Sequence, residues 1–400
     1  MVSQTIPQPP ISGARIRLAH VIAALATMGE VDVFAITDRA VSFPPGEDLV
    51  RINVAVRPPS TVPWPRRLWA LARGDQPLAL AGLDAGDARR RFVAWAAPTY
   101  DLVWFHRAES YAVLGDLVKA PAIVDLDDLE DRKARARLAV APEAGGFAAT
   151  RTVRRWLANA QGRRDARAWQ RWQAHVAASV PATVVCSESD RRHLGAPSAV
   201  VIANGYDAPV RPAGRETAGD PPTVLFAGFL PYAPNLDAAR WLVHDIAPRI
   251  RHWLPGLRVR LVGETTDEVR RWHDPPGVTV TGVVPDMRPE LATADLVAVP
   301  MRFGGGTRIK ILEAFAHRIP VVSTTAGAEG FDVAHERELL LADDAEAFAA
   351  ACVRLLGDIG LRRALTEAAH RLFQARHRWP DIEREIVTLA ARVAAGGPHG

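Results

Sequence analysis

Three consecutive glycines at the start of a helical pattern are the most chemically informative feature of this sequence. Gly304, Gly305 and Gly306 follow an apolar run predicted to be a strand, Leu296–Pro300. Glycine lets the backbone turn sharply and brings bare N–H groups close to a ligand, and the N-terminus of the following helix adds unsatisfied N–H groups. The order strand, glycines, helix therefore predicts a binding site for phosphate groups.

Charged side chains directly after the glycines support this interpretation. Thr307 is followed by Arg308 and Lys310, and Glu313 lies one helical turn further on. Cations near a helix N-terminus oppose the helix dipole, so a bound anion would explain both of them. Glu313 can accept hydrogen bonds from hydroxyls such as a ribose diol. The alternative is a plain glycine turn with solvated charges; neither G-x-x-x-x-G-K-[ST] nor a G-x-G-x-x-G after a first strand is present.

Length and composition exclude several classes of protein. The chain has 400 residues, 48% of them hydrophobic and 24% charged, which favours two globular domains over a disordered or fibrous protein. No apolar run reaches the roughly 18–20 residues of a membrane-spanning helix, and no secretory signal pattern opens the sequence. Cys186 and Cys352 are too few for a disulfide framework or a thiolate metal site. A net charge of +4 is no nucleic-acid signature. We therefore expect a soluble cytoplasmic protein without a nucleic-acid partner.

Short β-rich runs alternate with longer helical patterns along most of the chain. Such alternation predicts parallel sheets with helices on both faces. Helical patterns include Arg15–Met28, Asn235–Arg251 and Lys310–His317. The predicted strands are Val31–Ile36, Leu102–Phe105, Ala122–Leu126, Thr183–Ser187, Thr223–Ala227, Arg258–Val262, Val278–Thr281, Leu296–Pro300 and Val321–Ser323.

A proline- and glycine-rich segment, Pro209–Pro222, marks the predicted division between two domains. We expect an N-terminal domain over 1–208, a linker over 209–222 and a C-terminal domain over 223–375. The residues after about Leu361 are predicted to be helical to the end, with a break at Trp379–Pro380.

A basic stretch stands apart from the rest of the sequence. From Arg132 to Arg171 there are eleven Lys or Arg residues against two acidic ones. The first interpretation is a long surface helix whose arginine stems cover apolar neighbours. The alternative is a face that attracts anions, at a membrane surface or on a phosphorylated acceptor.

The segment GGGTRIKILEAFAHRIPVVSTTAGAEG, residues 304–330, resembles the donor-binding segment of the family 4 (group 1) retaining glycosyltransferases, in the subgroup with a GGGTR pattern. Further similar segments follow the family's order: PQPPISGARIRL at 7–18, FAGFLPYAPNLDAARWL at 226–242 and VTGVVPDMRPELATADLVAVP at 280–300. The resemblance implies the α/β GT-B fold: two Rossmann-like domains whose parallel sheets face each other across a cleft, with residues 376–396 returning to the first domain as a helix.

The resemblance also implies a buried central strand directly before the loop at residues 7–12. Only Val2–Ile6 is available for it, and its three central residues are polar. We therefore expect either that the natural start lies upstream or that this strand is unusually short.

The resemblance also implies which residues bind the donor. In the glycine loop, residues 304–306, Gly305 and Gly306 approach the diphosphate together with Thr307. Arg308 and Lys310 neutralise the diphosphate, and Glu313 matches the second glutamate of the family's E-x7-E motif, which holds the ribose. The first glutamate of that motif falls at Gly305, a departure that affects how the donor sugar is recognised. The full donor-binding set is Gly13, Gly228, Gly304, Gly305, Gly306, Thr307, Arg308, Lys310 and Glu313.

Four residues are candidates for the catalytic set: Arg308, Lys310, His106 and Asp127. Asp127 stands where many members of the family have a histidine. His106, at the end of the DLVWFH strand, is then the nearest remaining imidazole to the expected cleft, and strand ends are where open α/β sheets bind ligands. The alternative for His106 is a structural hydrogen-bonding role.

The function implied is transfer of a hexosyl-type group from a nucleotide-diphosphate sugar to a hydroxyl acceptor, with retention of configuration. The donor is a co-substrate, and we expect neither a metal nor another cofactor. The acceptor is open, with a lipid-linked acceptor and peripheral association with the inner face of the membrane among the candidates. Two alternatives are a nucleotide-sugar 2-epimerase and a non-catalytic subunit that binds nucleotide sugars.

Overall fold

The computed structural model describes residues 1–6, 13–37, 50–56, 76–81, 83–139 and 148–396. They form two compact units: one comprises Met1–Ala203 and the chain from Pro380 onwards, and the other comprises Asn204–Trp379. Each unit contains one sheet in which every strand pairing is parallel. The predicted α/β architecture of two Rossmann-like domains is therefore confirmed. No described helix has the length and apolar character needed to cross a membrane.

The first unit is built on a seven-stranded sheet with the order β3-β2-β1-β4-β5-β6-β7. Its strands are β1 (Val2–Ser3), β2 (Val31–Thr37), β3 (Val50–Val56), β4 (Val103–His106), β5 (Ala122–Asp125), β6 (Ala182–Val185) and β7 (Ala199–Val201). Its helices are α1 (Gly13–Ala26), α2 (Leu78–Ala81), α3 (Gly86–Trp95), α4 (Ala108–Leu114), α5 (Glu130–Ala139), α6 (Ala148–Ser179) and α7 (Glu188–Leu194), with a 3₁₀ turn at Gly115–Leu117.

The central strand of this sheet, β1, is only two residues long. Val2 lies opposite Phe34 on one side and Phe105 on the other, and both residues of the strand are buried. Because its neighbours cover it on both edges, two residues suffice to place it in the sheet. In the described chain β1 therefore has the short form that was one of the two expectations for it.

The second unit is built on a six-stranded sheet with the order β10-β9-β8-β11-β12-β13. Its strands are β8 (Thr223–Ala227), β9 (Arg258–Val262), β10 (Val278–Gly282), β11 (Leu296–Val299), β12 (Val321–Ser323) and β13 (Leu340–Leu341). Its helices are α8 (Ala233–Trp241), α9 (Ala247–Trp253), α10 (Asp267–Arg270), α11 (Arg288–Thr293), α12 (Ile309–Ala316), α13 (Ala345–Gly357) and α14 (Ile359–Arg376). A π-helical turn, Leu242–Ile246, joins α8 to α9.

The last helix, α15 (Trp379–Ala394), carries the chain back into the first unit. Its apolar residues Ile382, Ile386 and Leu389 are buried. They recur at the spacing of one helical face, which is the pattern of a helix packed on a core. At the start of the same helix, His20 of α1 lies 2.7 Å from Glu383.

The proline-rich segment predicted as a linker belongs to the second unit. The N–H of Gly219 donates to Asp295 at 2.8 Å, and that of Gly214 donates to the carbonyl of His317 at 2.8 Å. The guanidinium of Arg362, buried on α14, reaches the carbonyl of Glu216. Because its polar backbone groups find partners in the second unit, the segment is packed there rather than lying as an open connection.

Candidate functional site

The glycine loop lies at the carboxyl end of β11 and leads into α12. Gly304 has φ 128° and Gly306 has φ 77°, values that side-chain-bearing residues rarely adopt. The loop can therefore take this path only with glycine at both positions. The hydroxyl of Thr307, the next residue, is buried and has no hydrogen-bond partner in the described part of the chain.

Arg308 immediately precedes α12, whose first residue is Ile309, and its side chain turns back onto the loop. Its Nη1 donates to the carbonyl of Gly306 at 2.8 Å and also to that of Gly305. The residue is buried. The carbonyl oxygens of the loop therefore partly compensate the guanidinium charge. Arg308 both stabilises the conformation of the loop and places a cation beside it.

Lys310 is the second residue of α12, and its ammonium group is held by two contacts. Its Nζ donates to Oδ1 of Asn235 at 3.0 Å and lies 3.9 Å from the centre of the Phe226 ring. Asn235 is fixed in turn because its amide donates to the carbonyl of Phe229 at 2.9 Å. Burial, followed by the nearby charge of Arg308, lowers the pKa of Lys310 to about 7.

Gly228, directly after β8, leaves the space in which this lysine sits. A Cβ at this position would lie 3.1 Å from the Asn235 amide nitrogen and 3.2 Å from the Lys310 Nζ. β8 and β11 are neighbours where the strand order changes direction. Open α/β sheets bind ligands at the carboxyl ends of the strands at such a point.

Glu313 lies one turn along α12 and is half-buried. Its Oε1 accepts a hydrogen bond from the hydroxyl of Tyr206 at 3.0 Å. Burial raises the pKa of Glu313 to about 7, while the Tyr206 hydrogen bond and the charge of Lys310 act in the opposite direction. Near neutral pH this carboxyl group changes between a hydrogen-bond acceptor and a neutral acid.

In the first unit, His106 ends β4 next to the central strand. Its Nδ1 lies 3.3 Å from the hydroxyl of Ser3 in β1, and its Nε2 is buried with no hydrogen-bond partner among the described residues. Burial, followed by the charge of Arg107, lowers the pKa of His106 to about 4. The imidazole is therefore neutral at physiological pH. The strand order of this sheet also changes direction between β1 and β4.

Asp127 follows β5 with φ 57°, in the left-handed region. The carboxylate is buried, accepts from the Cys186 thiol at 3.5 Å and lies 3.7 Å from the Arg107 guanidinium. Burial favours its neutral form, but Arg107 and Arg17 outweigh this effect and hold its pKa well below the usual range. Asp127 is therefore a fixed negative charge that can accept hydrogen bonds, and a weak base.

A buried ion pair supports the backbone around Asp127. The Nε and Nη2 of Arg17 donate to the two carboxylate oxygens of Asp125 at 2.9 and 3.2 Å. The carboxylate also accepts from the N–H of Asp127 at 3.1 Å. Arg17 additionally reaches the carbonyl of Ala203 at 3.1 Å, so helix α1, strand β5 and the end of the first unit's continuous chain are tied together.

The structure distributes the candidate residues over both units. His106 and Asp127 lie at the carboxyl ends of adjacent strands, and Gly13 is the first residue of α1, while residues 7–12 lie outside the described part of the chain. The remaining candidates lie around α12. No sequence pattern pointed to a role for Asn235, Tyr206 or Arg17. Asn235 lies in the segment 226–242, which resembles the glycosyltransferase family, and this resemblance could have indicated that Asn235 belongs to the site.

Comparison with protein-family models adds an independent observation. Residues 221–358 match the family described as Glycosyl transferases group 1. This stretch includes Gly228, the glycine loop, Lys310 and Glu313. The first unit lies outside the match.

Among curated proteins, an exopolysaccharide phosphotransferase of Streptomyces coelicolor is 30% identical over 174 residues, which cover 36% of this chain and 18% of that protein. The chain therefore corresponds to less than a fifth of that relative's own length.

Among solved structures, sucrose-phosphate synthase from Thermosynechococcus elongatus has a TM-score of 0.69 at 18% identity, with 99% of both chains covered. Anabaena HepE in complex with UDP has a TM-score of 0.63 at 15% identity, with 98% of both chains covered. At these identities the likeness concerns the fold, and it extends over both units.

Proposed function

We propose that this chain, whose residues 221–358 match the family described as Glycosyl transferases group 1, is a glycosyltransferase that transfers a hexosyl group from a nucleotide-diphosphate sugar to a hydroxyl acceptor with retention of configuration. We also propose that the transfer reaction needs no divalent metal, and that the chain belongs to the subgroup of this family that carries the GGGTR pattern. A 2-epimerase and a non-catalytic binding subunit are not favoured by the comparisons.

The observation that carries the proposal is the arrangement at the carboxyl ends of β8 and β11. There the glycine loop and the N-terminus of α12 present backbone N–H groups beside the ammonium of Lys310. Such a combination suits the diphosphate of a nucleotide. The Anabaena structure with UDP, which has a similar fold, makes UDP the first nucleotide to test.

In the proposed reaction this site stabilises the leaving group, which is the nucleoside diphosphate. As the bond between the sugar C1 and the diphosphate oxygen breaks, negative charge grows on the diphosphate. Lys310 and the N–H groups of the loop and helix lie where they can meet that charge, and Arg308 holds the loop that carries them. Preorganised donors of this kind lower the barrier because they need no rearrangement during the reaction.

Retention follows if the acceptor oxygen bonds to C1 on the face from which the diphosphate departs. The acceptor proton then passes to the departing phosphate oxygen, so no protein carboxylate has to act as nucleophile. We assign His106 and Asp127 to the acceptor side. The charged Asp127 would accept a hydrogen bond from an acceptor hydroxyl, because its low pKa suits it to orienting that group rather than deprotonating it.

The experiment is calorimetric titration of UDP, GDP and ADP into the wild type and the variants Lys310→Ala and Arg308→Ala. A charge-assisted contact contributes about 1.5–3 kcal/mol, so Lys310→Ala should weaken binding by about one to two orders of magnitude. Turnover should fall as well, since the contact strengthens in the transition state. Arg308→Ala should also lower the melting temperature of the free protein, because the loop loses its internal hydrogen bonds.

Arg240→Gln provides the matched control, since Arg240 is exposed on α8 and pairs with Glu268. Unchanged nucleotide affinity in both Lys310→Ala and Arg308→Ala would contradict the proposed site. Loss of transfer activity on adding a chelator would contradict the metal-independent mechanism alone. Product stereochemistry, measured by NMR, tests retention.

A further inference from the structure

Tyr206 makes the one hydrogen bond that the Glu313 carboxylate receives within the described part of the chain. The phenol donates to Oε1 at 3.0 Å, and the two residues are 107 positions apart in sequence. Because a phenol has a single proton to donate, the bond engages one carboxylate oxygen only. The second oxygen, Oε2, remains available to another donor.

The position of Tyr206 is itself fixed by contacts that involve no ligand. Its N–H donates to the carbonyl of His377 at 2.9 Å, and it forms a parallel bridge with Arg378. Its ring packs edge-on against His317, with ring centres 6.2 Å apart. The Tyr206 hydroxyl is therefore held at one point relative to α12, since His317 directly follows that helix.

We propose that Tyr206 is a positioning residue for donor binding, whose hydroxyl holds Oε1 of Glu313 so that Oε2 receives the ribose hydroxyls. This inference rests on the proposed function, because it takes Glu313 as the residue that binds the ribose. The hydrogen bond has a second effect: it stabilises the ionised form of the carboxyl group, which is the form that can accept two hydroxyl donors.

Burial and neighbouring charges shift the pKa values of both Glu313 and Tyr206. Burial raises the pKa of Glu313, and the Tyr206 hydrogen bond and Lys310 lower it. Burial and the Glu313 charge raise the pKa of Tyr206, so the phenol stays protonated and donates. The other titratable or charged groups on the elements around the pair include Arg308, Lys310, Asp207, Asp286, Arg288, His317, His370, His377 and Arg378.

Tyr206→Phe removes the hydroxyl and keeps the ring. Without the hydrogen bond, the pKa of Glu313 should rise above its present value of about 7. If it rises by about one unit, the ionised fraction at pH 7 falls from about one half to about one tenth. Nucleotide affinity at pH 7 should then fall about fivefold, while at pH 8.5 the difference from the wild type should be much smaller.

The test measures the affinity of whichever of UDP, GDP and ADP binds best, together with its 2′,3′-dideoxy analogue, at pH 7 and pH 8.5. The wild type should prefer the ribose form. Glu313→Gln should weaken that preference. It should also remove the loss of nucleotide affinity that protonation of the Glu313 carboxyl group causes as the pH is lowered. Adding Tyr206→Phe to Glu313→Gln should change nothing further, since the hydroxyl acts through the carboxylate. Tyr111→Phe, in the first unit, is the control for loss of a phenol.

The outcomes separate the inference from the function on which it rests. If the wild type binds none of the nucleotides, the proposed function fails. If the wild type binds with a ribose preference that Glu313→Gln weakens, while Tyr206→Phe keeps wild-type affinity at both pH values, the inference is overturned. An equal loss at both pH values with an unchanged ribose preference would overturn it as well, because that result indicates packing alone.

Discussion

Lys310 and Asn235 are joined across 75 residues of sequence by a hydrogen bond of 3.0 Å from the lysine Nζ to the asparagine Oδ1. The bond connects α12 to α8 and holds the ammonium group over the face of Phe226. The lysine side chain is therefore in place before any anion is bound. A charge held in this way contributes more to catalysis than a mobile one, because it does not have to be ordered during the reaction.

Asn235→Ala should release this lysine. We expect nucleoside diphosphate affinity to fall by about tenfold, in the range of one hydrogen bond to a charged group. Calorimetric titration of UDP, GDP and ADP measures the change. Arg240→Gln, on the same helix, is the control and should bind as the wild type does. Wild-type affinity in Asn235→Ala would show that Lys310 does not depend on the amide for its position.

Donor binding should have a pH optimum close to 7, because two groups with pKa values of about 7 must be in opposite states. Glu313 has to be ionised, so affinity should fall as pH decreases below its pKa. Lys310 has to be protonated, so affinity should fall as pH rises above its pKa. A bound diphosphate raises the pKa of Lys310, so binding at pH 7.5 should take up protons, which calorimetry in buffers of different ionisation enthalpy detects.

Variants show which residue causes the fall in donor affinity at acidic pH (the acidic limb) and which causes the fall at alkaline pH (the alkaline limb). Lys310→Arg keeps its charge at every accessible pH and should lose the alkaline limb. Glu313→Gln should lose the acidic limb, and its alkaline limb should move to lower pH because Glu313 raises the pKa of Lys310. A profile that stays flat from pH 6 to 8.5 in the wild type would contradict the assignment of both groups to the donor site.

The stability of the first unit should depend on the buried pair of Arg17 and Asp125. Both side chains are fully buried, so removing one partner leaves an unpaired charge in the core. Arg17→Met should lower the free energy of unfolding by about 3–5 kcal/mol, measured with urea. The double variant Arg17→Met/Asp125→Asn should recover part of this loss. Arg91→Gln, which breaks an exposed pair with Asp87, should change stability little.

The exposed arginines of α5 and α6 test the alternative in which the basic stretch is a face that attracts an anionic membrane surface. Arg137, Arg163 and Arg167 are exposed, whereas the side chains of 151–157 lie outside the described residues. Replacing these three by Gln should weaken binding to vesicles rich in anionic lipid by about a hundredfold, at about 1 kcal/mol for each charge. The control replaces Arg240, Arg270 and Arg363 of the second unit. Absence of vesicle binding by the wild type at low salt would leave only the interpretation of a solvated surface helix.

Sequence patterns predicted the sheets well where strands are buried on both faces. The predicted runs Thr223–Ala227 and Val321–Ser323 coincide with β8 and β12, and Arg258–Val262, whose two arginines are not buried, coincides with β9. Buried parallel strands are continuous apolar runs, which are easy to recognise. The edge strands β7 and β13 were not predicted, since they contain three and two residues and carry almost no periodic signal. The edge strand β3, Val50–Val56, was missed as well.

The site was predictable only as far as local sequence encodes it. The glycine loop, Arg308, Lys310 and Glu313 occupy one short segment, so their association follows from spacing alone. Tyr206 contacts this segment because of the path of the chain through the second unit, and no local pattern encodes that contact. The left-handed backbone of Asp127 is equally invisible in sequence, since aspartate adopts other conformations more readily.

The return of α15 to the first unit has a consequence for the order in which the protein is made. Ile382, Ile386 and Leu389 of this helix are buried, yet they are synthesised after the whole of the second unit. During translation the surface of the first unit that receives this helix therefore stays uncovered until the helix has left the ribosome. The second unit is formed by a continuous chain from Asn204 to Trp379. It needs no later segment and can fold as soon as it emerges from the ribosome.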